Sequence, residues 1–281
     1  MTESMIIVNS LEELFYVRRF LDAPAGLVPT MGFLHSGHIS LVQQARRECK
    51  SVIVSIFVNP KQFGPQEDLA NYPRNLERDL QLLEAADADI VWMPTSEMMY
   101  PADYQTWVDV EKLTQPLEGS MRPGHFRGVT TVVSKLFNAT RPDKAYFGQK
   151  DAQQAAVIRQ MTRDLSYPIE IVVCPTQRET DGLAMSSRNS YLNPEQRQAA
   201  PVLYRGLCAA KTAFEQGENN AVRLRQIVTD AINGEPQARL QYISCADYKT
   251  LQELERVDVK ALLSLAVFIG KTRLIDNIAL E

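Results

Sequence analysis

The chain contains three histidines, and two of them fall in one nine-residue run, Thr30-Met31-Gly32-Phe33-Leu34-His35-Ser36-Gly37-His38. Imidazoles three residues apart at the start of a helix project to one side. Two N–H donors aimed together suit oxygens that gain negative charge as a phosphoryl or nucleotidyl group is transferred. Gly32 and Gly37 allow the backbone a positive φ or a close approach to a ligand. A zinc site would need a third ligand, and no cysteine or His-Glu cluster stands nearby in sequence to provide it. The plainer alternative is a pair of surface histidines on a helical turn. The flanking glycines, the strand that precedes the run and the near-absence of histidine elsewhere weigh against it.

Four other stretches combine polar side chains with turn residues. Asn59-Pro60-Lys61-Gln62-Phe63-Gly64-Pro65 follows an apolar run and could orient a small polar substrate, or could be a turn made by its Asn and Pro. Arg122-Pro123-Gly124-His125-Phe126-Arg127-Gly128 holds the third histidine as a glycine-punctuated loop. Its arginines fit either a carboxylate or phosphate ligand, or pairing with Glu118 and solvent. In Phe147-Gly148-Gln149-Lys150-Asp151 a cation stands at a helix start, where the dipole disfavours it unless an anion is to be neutralised. Asp151 is placed as an N-cap, and Gln154 projects from the first turn of the same helix. Leu183-Ala184-Met185-Ser186-Ser187-Arg188-Asn189 offers two hydroxyls and an arginine that could wrap a triphosphate.

The elements that must carry these residues follow from hydrophobic period. Apolar runs of strand length alternate with helical patterns through roughly the first 175 residues, the mark of a parallel sheet with crossover helices. Strands are expected at 26–29, 51–58, 89–93, 145–147 and 169–173. Helices are expected from Ile39 onward, at 75–86 with Leu76, Leu80 and Leu83 facing inward, at 129–138 and at 151–165. The histidine run then lies at a strand-to-helix turn, where unpaired N–H groups and the positive end of the helix dipole favour an anion. After Pro175-Thr176 the pattern changes to helices at 194–216 and 221–232 and strands at 240–243 and 265–269. The reading is an α/β protein: a doubly wound, Rossmann-like parallel sheet over residues 1–176, with a smaller C-terminal α+β lid domain over 177–281 and ligands at the carboxyl ends of the strands.

Composition narrows the function classes. With 281 residues, 45% hydrophobic and 23% charged, the chain can bury an ample core. A net charge of −4 gives no broad basic field, so duplex nucleic acid is not expected as a partner. The cysteines at 49, 174, 208 and 245 form no Cys-x-x-Cys pair and sit in apolar segments, as reduced core residues do. Met1-Thr2-Glu3-Ser4 has no basic lead or signal-type stretch, and no run of about 18 apolar residues occurs. A cytoplasmic enzyme or binding protein is the expectation, with no membrane partner.

Together these residues closely resemble the pantothenate synthetase (pantoate–β-alanine ligase) family of the nucleotidylyltransferase superfamily, related to class I aminoacyl-tRNA synthetases. The likeness spans essentially the whole chain. Pro-Thr-Met-Gly-x-Leu-His-x-Gly-His stands at 29–38, Phe-Val-Asn-Pro-x-Gln-Phe at 57–63 and Arg-Pro-Gly-His-Phe-x-Gly-Val at 122–129. Tyr-Phe-Gly-x-Lys-Asp stands at 146–151, and Met-Ser-Ser-Arg-Asn, the counterpart of the synthetases' Lys-Met-Ser-Lys-Ser loop, at 185–189. The resemblance implies an HxGH-type fold and ATP-dependent joining of (R)-pantoate to β-alanine through pantoyl adenylate, with ATP as substrate, Mg²⁺ assisting and a homodimer as the assembly. It assigns ATP contacts to Met31, Gly32, Phe33, Leu34, His35, Ser36, Gly37 and His38, to Gly148, Gln149, Lys150 and Asp151, and to Met185, Ser186, Ser187 and Arg188. His38, His35 and Lys150 become the catalytic groups, while Gln62 and Gln154 hold pantoate, Gln62 also bordering β-alanine. Asn59 and Tyr72 rank second, and the metal's ligands stay unknown. Two rivals keep the nucleotide site: an adenylyltransferase joining AMP to a small phosphorylated acceptor, which would want more Arg or Lys than the Gln pair provides, and a non-catalytic nucleotide sensor, which would lose the His pair or Lys150.

Overall fold

The structure, a computed structural model, describes residues 5–65 and 67–281; the Met1-Thr2-Glu3-Ser4 stretch read above for targeting lies outside the described residues. The chain forms two compact units. One comprises the chain up to Gly148 together with Gln154–Pro175, the other Gln149–Gln153 and Thr176–Glu281. The turn Gln149–Gln153, which falls inside residues 1–176, therefore groups with the C-terminal unit.

The first unit is built on six parallel strands: β1 (Ile6–Val8), β2 (Ala25–Thr30), β3 (Ser51–Ile56), β4 (Ile90–Trp92), β5 (Lys144–Gly148) and β6 (Glu170–Cys174), in the order β1-β4-β3-β2-β5-β6. The order turns back between β2 and β5, the switch point at which α/β sheets open a crevice beyond their strand ends. The loop after β2 carries the histidine run. One face buries Val28, Val52, Val54 and Val91 under Leu41, Val42, Ala45 and Leu83. On the other, Leu27, Ile53, Ile90 and Trp92 are also fully buried. A strand covered on both faces carries a continuous apolar run, which is why β3 was legible in sequence.

The second unit is a three-stranded antiparallel sheet, β7 (Ala238–Asp247), β8 (Ala261–Ile269) and β9 (Thr272–Leu280). Helices Val202–Glu215 and Ala221–Asn233 close a core around Leu203, Leu207, Leu224, Val228, Leu263, Leu265 and Val267. Three expectations change here. The single pattern over 194–216 is two helices, Pro194–Ala199 and Val202–Glu215; Pro201 has no N–H for an interior helix bond and its ring excludes the preceding turn. β9 was not anticipated, because Asp276 and Asn277 in its middle are poor strand formers. The three-residue β1 and helix Leu11–Val17 were missed as too short for a period to show.

Candidate active site

The histidine run leaves β2 and opens helix Ser36–Glu48. The helix starts three residues before the Ile39 expected from its apolar residues, because His35 itself caps it: His35 Nδ1 accepts from Gly37 N–H at 3.1 Å, and His38 Nδ1 accepts from His35 N–H at 3.3 Å. A ring nitrogen that accepts through its lone pair does not carry the proton of a neutral imidazole, so in both rings the proton sits on Nε2. The ring centroids lie 4.0 Å apart, their planes tilted by 36°. The fold thus turns a capping arrangement into two neighbouring Nε2–H donors.

The glycines divide differently from expectation. Gly32 has φ +77° and Phe33 φ +49°, so the turn does use left-handed backbone, but Gly37 is helical. A Cβ on Gly32 would stand 3.1 Å from Ile56 Cγ2 and 3.2 Å from Asp79 Oδ2. Asp79, only 1% exposed, accepts from the N–H groups of Phe33 and Leu34, both at 2.7 Å. It occupies the inward side of helix Leu76–Ala85, while Leu76, expected there, is exposed. A carboxylate is tolerated in that position because it satisfies two backbone donors that no strand or helix pairs. The picture of a cradle of unpaired amides is corrected accordingly: Phe33, Leu34, His35, Gly37 and His38 all donate their N–H within the protein. Toward an anion the loop offers imidazole N–H and the helix dipole.

Beyond β3, Asn59 caps the short 3-10 turn Pro60–Gln62, its Oδ1 accepting from Lys61 N–H at 3.2 Å. Asn59 Nδ2 donates to Gly128 O and to Gln62 Oε1, each at 3.1 Å. Gln62 Nε2 lies 3.1 Å from Met31 Sδ, which joins this turn to the histidine run within the same unit. Gly128 permits the approach, since a Cβ there would stand 2.1 Å from Lys61 O. Tyr72 is buried and meets the Phe63 ring edge-on.

The loop expected over 122–128 is largely helical. Gly124, at φ +82°, turns the chain into helix His125–Thr140, which begins four residues before the 129–138 expected. Arg122 forks onto Glu67 through Nε and Nη2, both at 2.7 Å, and lies 3.7 Å from Glu118. Arg122 is thus paired chiefly with Glu67, a partner beyond the Glu118 that the sequence suggests, and Arg127 stacks over the Trp107 ring at 4.6 Å. His125 lies 2.8 Å from Gln62 O through Nδ1 and 3.2 Å from Arg122 Nη1 through Nε2, so it donates to the carbonyl and accepts from the guanidinium as a neutral ring. Burial, and then the Arg122 cation, pull its pKa from 6.5 down to about 4.

That depression sets a pH dependence. The unfolded chain binds this proton near 6.5 while the folded protein refuses it until about 4, so stability is full above 6.5 and falls as the pH drops through that window. The expected loss is about 1.4 kcal/mol per pH unit, or about 3 kcal/mol by pH 4. Urea unfolding between pH 7 and pH 4.5 measures it: His125→Asn should lose markedly less stability over this range than the unaltered protein, and equal losses would overturn the assignment.

In the second unit, Lys150 lies on the 3-10 turn Gln149–Asp151, one turn ahead of helix Ala152–Asp164. Asn277 Nδ2 donates to Gln149 O at 3.0 Å and to Lys150 O at 2.9 Å, and Gln149 Nε2 returns a bond to Asn277 Oδ1 at 3.1 Å. Lys150 Nζ stands 3.9 Å from Asp151 Oδ2. Next to Asn277, buried Asp276 holds both Nη atoms of Arg178, at 2.7 and 2.9 Å. Arg178 bridges to Ala184, so the same strand supports the segment that leads into Met185. There Ser186 Oγ caps the turn Ser187–Tyr191 by accepting from Arg188 N–H at 3.3 Å, and Ser187 is buried. Gly148 lies at the end of β5 with no atom within 4 Å of where a Cβ would be, and Gln154 sits in the first turn of the helix at 152 with partial exposure.

Sequence reasoning missed Asp79, Tyr100 and Asn277. Each acts through a contact to residues more than forty positions away, and none stands in a motif.

Comparison with known proteins gives the family of the chain. A family model described as Pantoate-beta-alanine ligase matches residues 7–279. The chain is similar to the pantothenate synthetase of Herpetosiphon aurantiacus, 60% identical over 277 residues that make up 98% of this chain and 100% of the relative. It is similar in structure to the pantothenate synthetase of Thermus thermophilus, with a TM-score of 0.93 and 47% identity over 98% of this chain and 99% of that one. A pantoate-beta-alanine ligase from Francisella tularensis, complexed with beta-gamma ATP and beta-alanine, has a TM-score of 0.82 and 37% identity over 98% and 97% of the two chains.

Proposed function

Because this chain belongs to the pantoate–β-alanine ligase family, we propose how the residues described above divide its reaction. The reaction itself is the ATP-dependent condensation of (R)-pantoate with β-alanine to pantothenate, AMP and pyrophosphate by way of pantoyl adenylate. In the first half a pantoate carboxylate oxygen bonds to the α-phosphorus, and the bond from that phosphorus to the bridging oxygen breaks as pyrophosphate leaves. In the second half the β-alanine nitrogen bonds to the acyl carbon, loses a proton, and AMP departs. Activation is needed because a free carboxylate would have to expel oxide, whereas the mixed anhydride expels a stable phosphate monoester.

His35 and His38 donate from Nε2 to the phosphate oxygens that gain charge in the first half, and Lys150 neutralises the departing pyrophosphate. Residues 31–38, 148–151 and 185–188 provide the ATP contacts. Gln62 and Gln154 hold pantoate, with Gln62 bordering β-alanine. The observation that carries the reading is the double Nδ1 capping at His35 and His38, which leaves both ring protons on Nε2. Mg²⁺ is supported by the family resemblance; when bound with ATP it would supply neutralisation of phosphate charge. A homodimer is supported by the family resemblance and is checked by sedimentation. A cytoplasmic location is supported by four unbonded cysteines, three of them buried; among the described residues no helix is long and apolar enough to cross a membrane.

One assay with ATP, pantoate and β-alanine, each omitted in turn, tests the reading. AMP and pyrophosphate release should require pantoate, and pantothenate should appear only with β-alanine. ATP turnover indifferent to pantoate would overturn it.

A further inference from the structure

We propose that Tyr100 is a positioning residue that, by anchoring Asn59, holds the Gln62 amide with its NH2 end toward pantoate. The proposal rests on the reading of Gln62 as a pantoate ligand. A glutamine amide has a donor end and an acceptor end of nearly the same shape, and nothing in the Gln62 side chain itself decides which end faces a substrate. A pantoate carboxylate oxygen is met well by the first and repelled by the second.

Neighbours make that decision. Tyr100 Oη donates to Asn59 Oδ1 at 2.9 Å, and Lys61 N–H donates to the same oxygen at 3.2 Å. With Oδ1 so fixed, Asn59 must present Nδ2 on its other side, where Gly128 O and Gln62 Oε1 accept at 3.1 Å each. The buried Asn59, 1% exposed, then has all four of its hydrogen-bonding capacities filled. Turning its amide over would set NH2 against the Lys61 N–H and a carbonyl against Gly128 O, so these two backbone groups fix its direction, and the Tyr100 hydroxyl anchors the oxygen end they select. Since Gln62 Oε1 is already engaged, its Nε2 faces the Met31 end of the histidine run, 3.1 Å from Met31 Sδ. A thioether is a weak acceptor, so a substrate oxygen displaces it readily. Burial pushes the Tyr100 phenol upward, which keeps its proton in place as a donor at ordinary pH.

Tyr100 belongs to none of the sequence motifs and meets Gln62 only through Asn59, which is why it is a positioning residue. Its ring also packs edge-on with Tyr104 at 5.1 Å and within 6 Å of Lys61 Nζ and Lys135 Nζ. Tyr100→Phe keeps those contacts and removes the hydroxyl alone.

Steady-state kinetics on Tyr100→Phe, Gln62→Ala and the double variant test the coupling. Tyr100→Phe should raise KM for pantoate by about five- to tenfold, as the loss of one neutral hydrogen bond does, with kcat and KM for ATP changed by less than about twofold. Gln62→Ala should also raise KM for pantoate. Adding Tyr100→Phe to it should cause no further rise, because the amide being oriented is gone. A purely structural role for Tyr100 would instead multiply the two effects, and that result, or an unchanged KM in Tyr100→Phe while Gln62→Ala is impaired, overturns the proposal. An unimpaired Gln62→Ala would remove the pantoate role of Gln62 itself, and the proposal with it.

Discussion

His38→Ala should lower turnover by roughly 10²- to 10³-fold while the protein remains folded, the usual consequence of losing one donor to a charge that develops in the transition state. His38 Nδ1 is taken by the His35 N–H, so its Nε2–H is what the ring presents to a phosphate oxygen. That donor acts in the transition state, so kcat and kcat/KM should fall together. The ring also serves as a cap, and the two roles can be separated. In His38→Asn the amide oxygen stands where Nδ1 was and preserves the cap, but the side chain is too short to reach the position of Nε2; activity should fall as in the alanine variant with little loss of stability. In His38→Gln the amide nitrogen reaches the Nε2 position and should restore part of the rate. Turnover and urea midpoints of the three variants decide the matter, and a near-normal rate in His38→Ala would remove this residue from the chemistry.

Lys150→Ala should lower adenylate formation by roughly 10²-fold and leave the second half of the reaction comparatively intact, because pyrophosphate charge develops only in the first. The ammonium is carried on a turn whose carbonyls are held by Asn277, so truncating the side chain leaves the backbone supported. Single-turnover measurements, with ATP and pantoate in one arm and supplied pantoyl adenylate with β-alanine in the other, separate the two halves. An equal loss in both arms would mean that Lys150 acts on something other than the departing phosphates. Lys150→Arg tests geometry: a planar fork cannot take the place of a compact ammonium without loss if the contact is a single phosphate oxygen.

The legible elements share a property. β3 is an uninterrupted apolar run because both its faces are covered, and helices at 76–85, 152–164 and 221–233 repeat apolar residues at the helical period. The elements that were missed break such patterns for tertiary reasons. β9 carries Asp276 and Asn277 in its middle because they bind Arg178 and the Lys150 turn. On helix Leu76–Ala85 the inward position is taken by Asp79 and not Leu76, because two backbone N–H groups of another segment need an acceptor there.

Among the site residues the same division holds. By itself the sequence determined the pairing of His35 with His38, the turn at Asn59 to Gln62 and the placement of Lys150 just ahead of a helix, since residues three or four apart meet through local backbone geometry alone. The same local caps set which ring nitrogens carry protons, whereas long-range packing sets which end of the Gln62 amide is presented and which unit carries Lys150. The amide end and the Lys150 turn depend on partners 69 and 127 positions distant. A hydrogen bond at that separation has no period in the chain; it exists only once folding has closed the intervening loop and packed the two segments together.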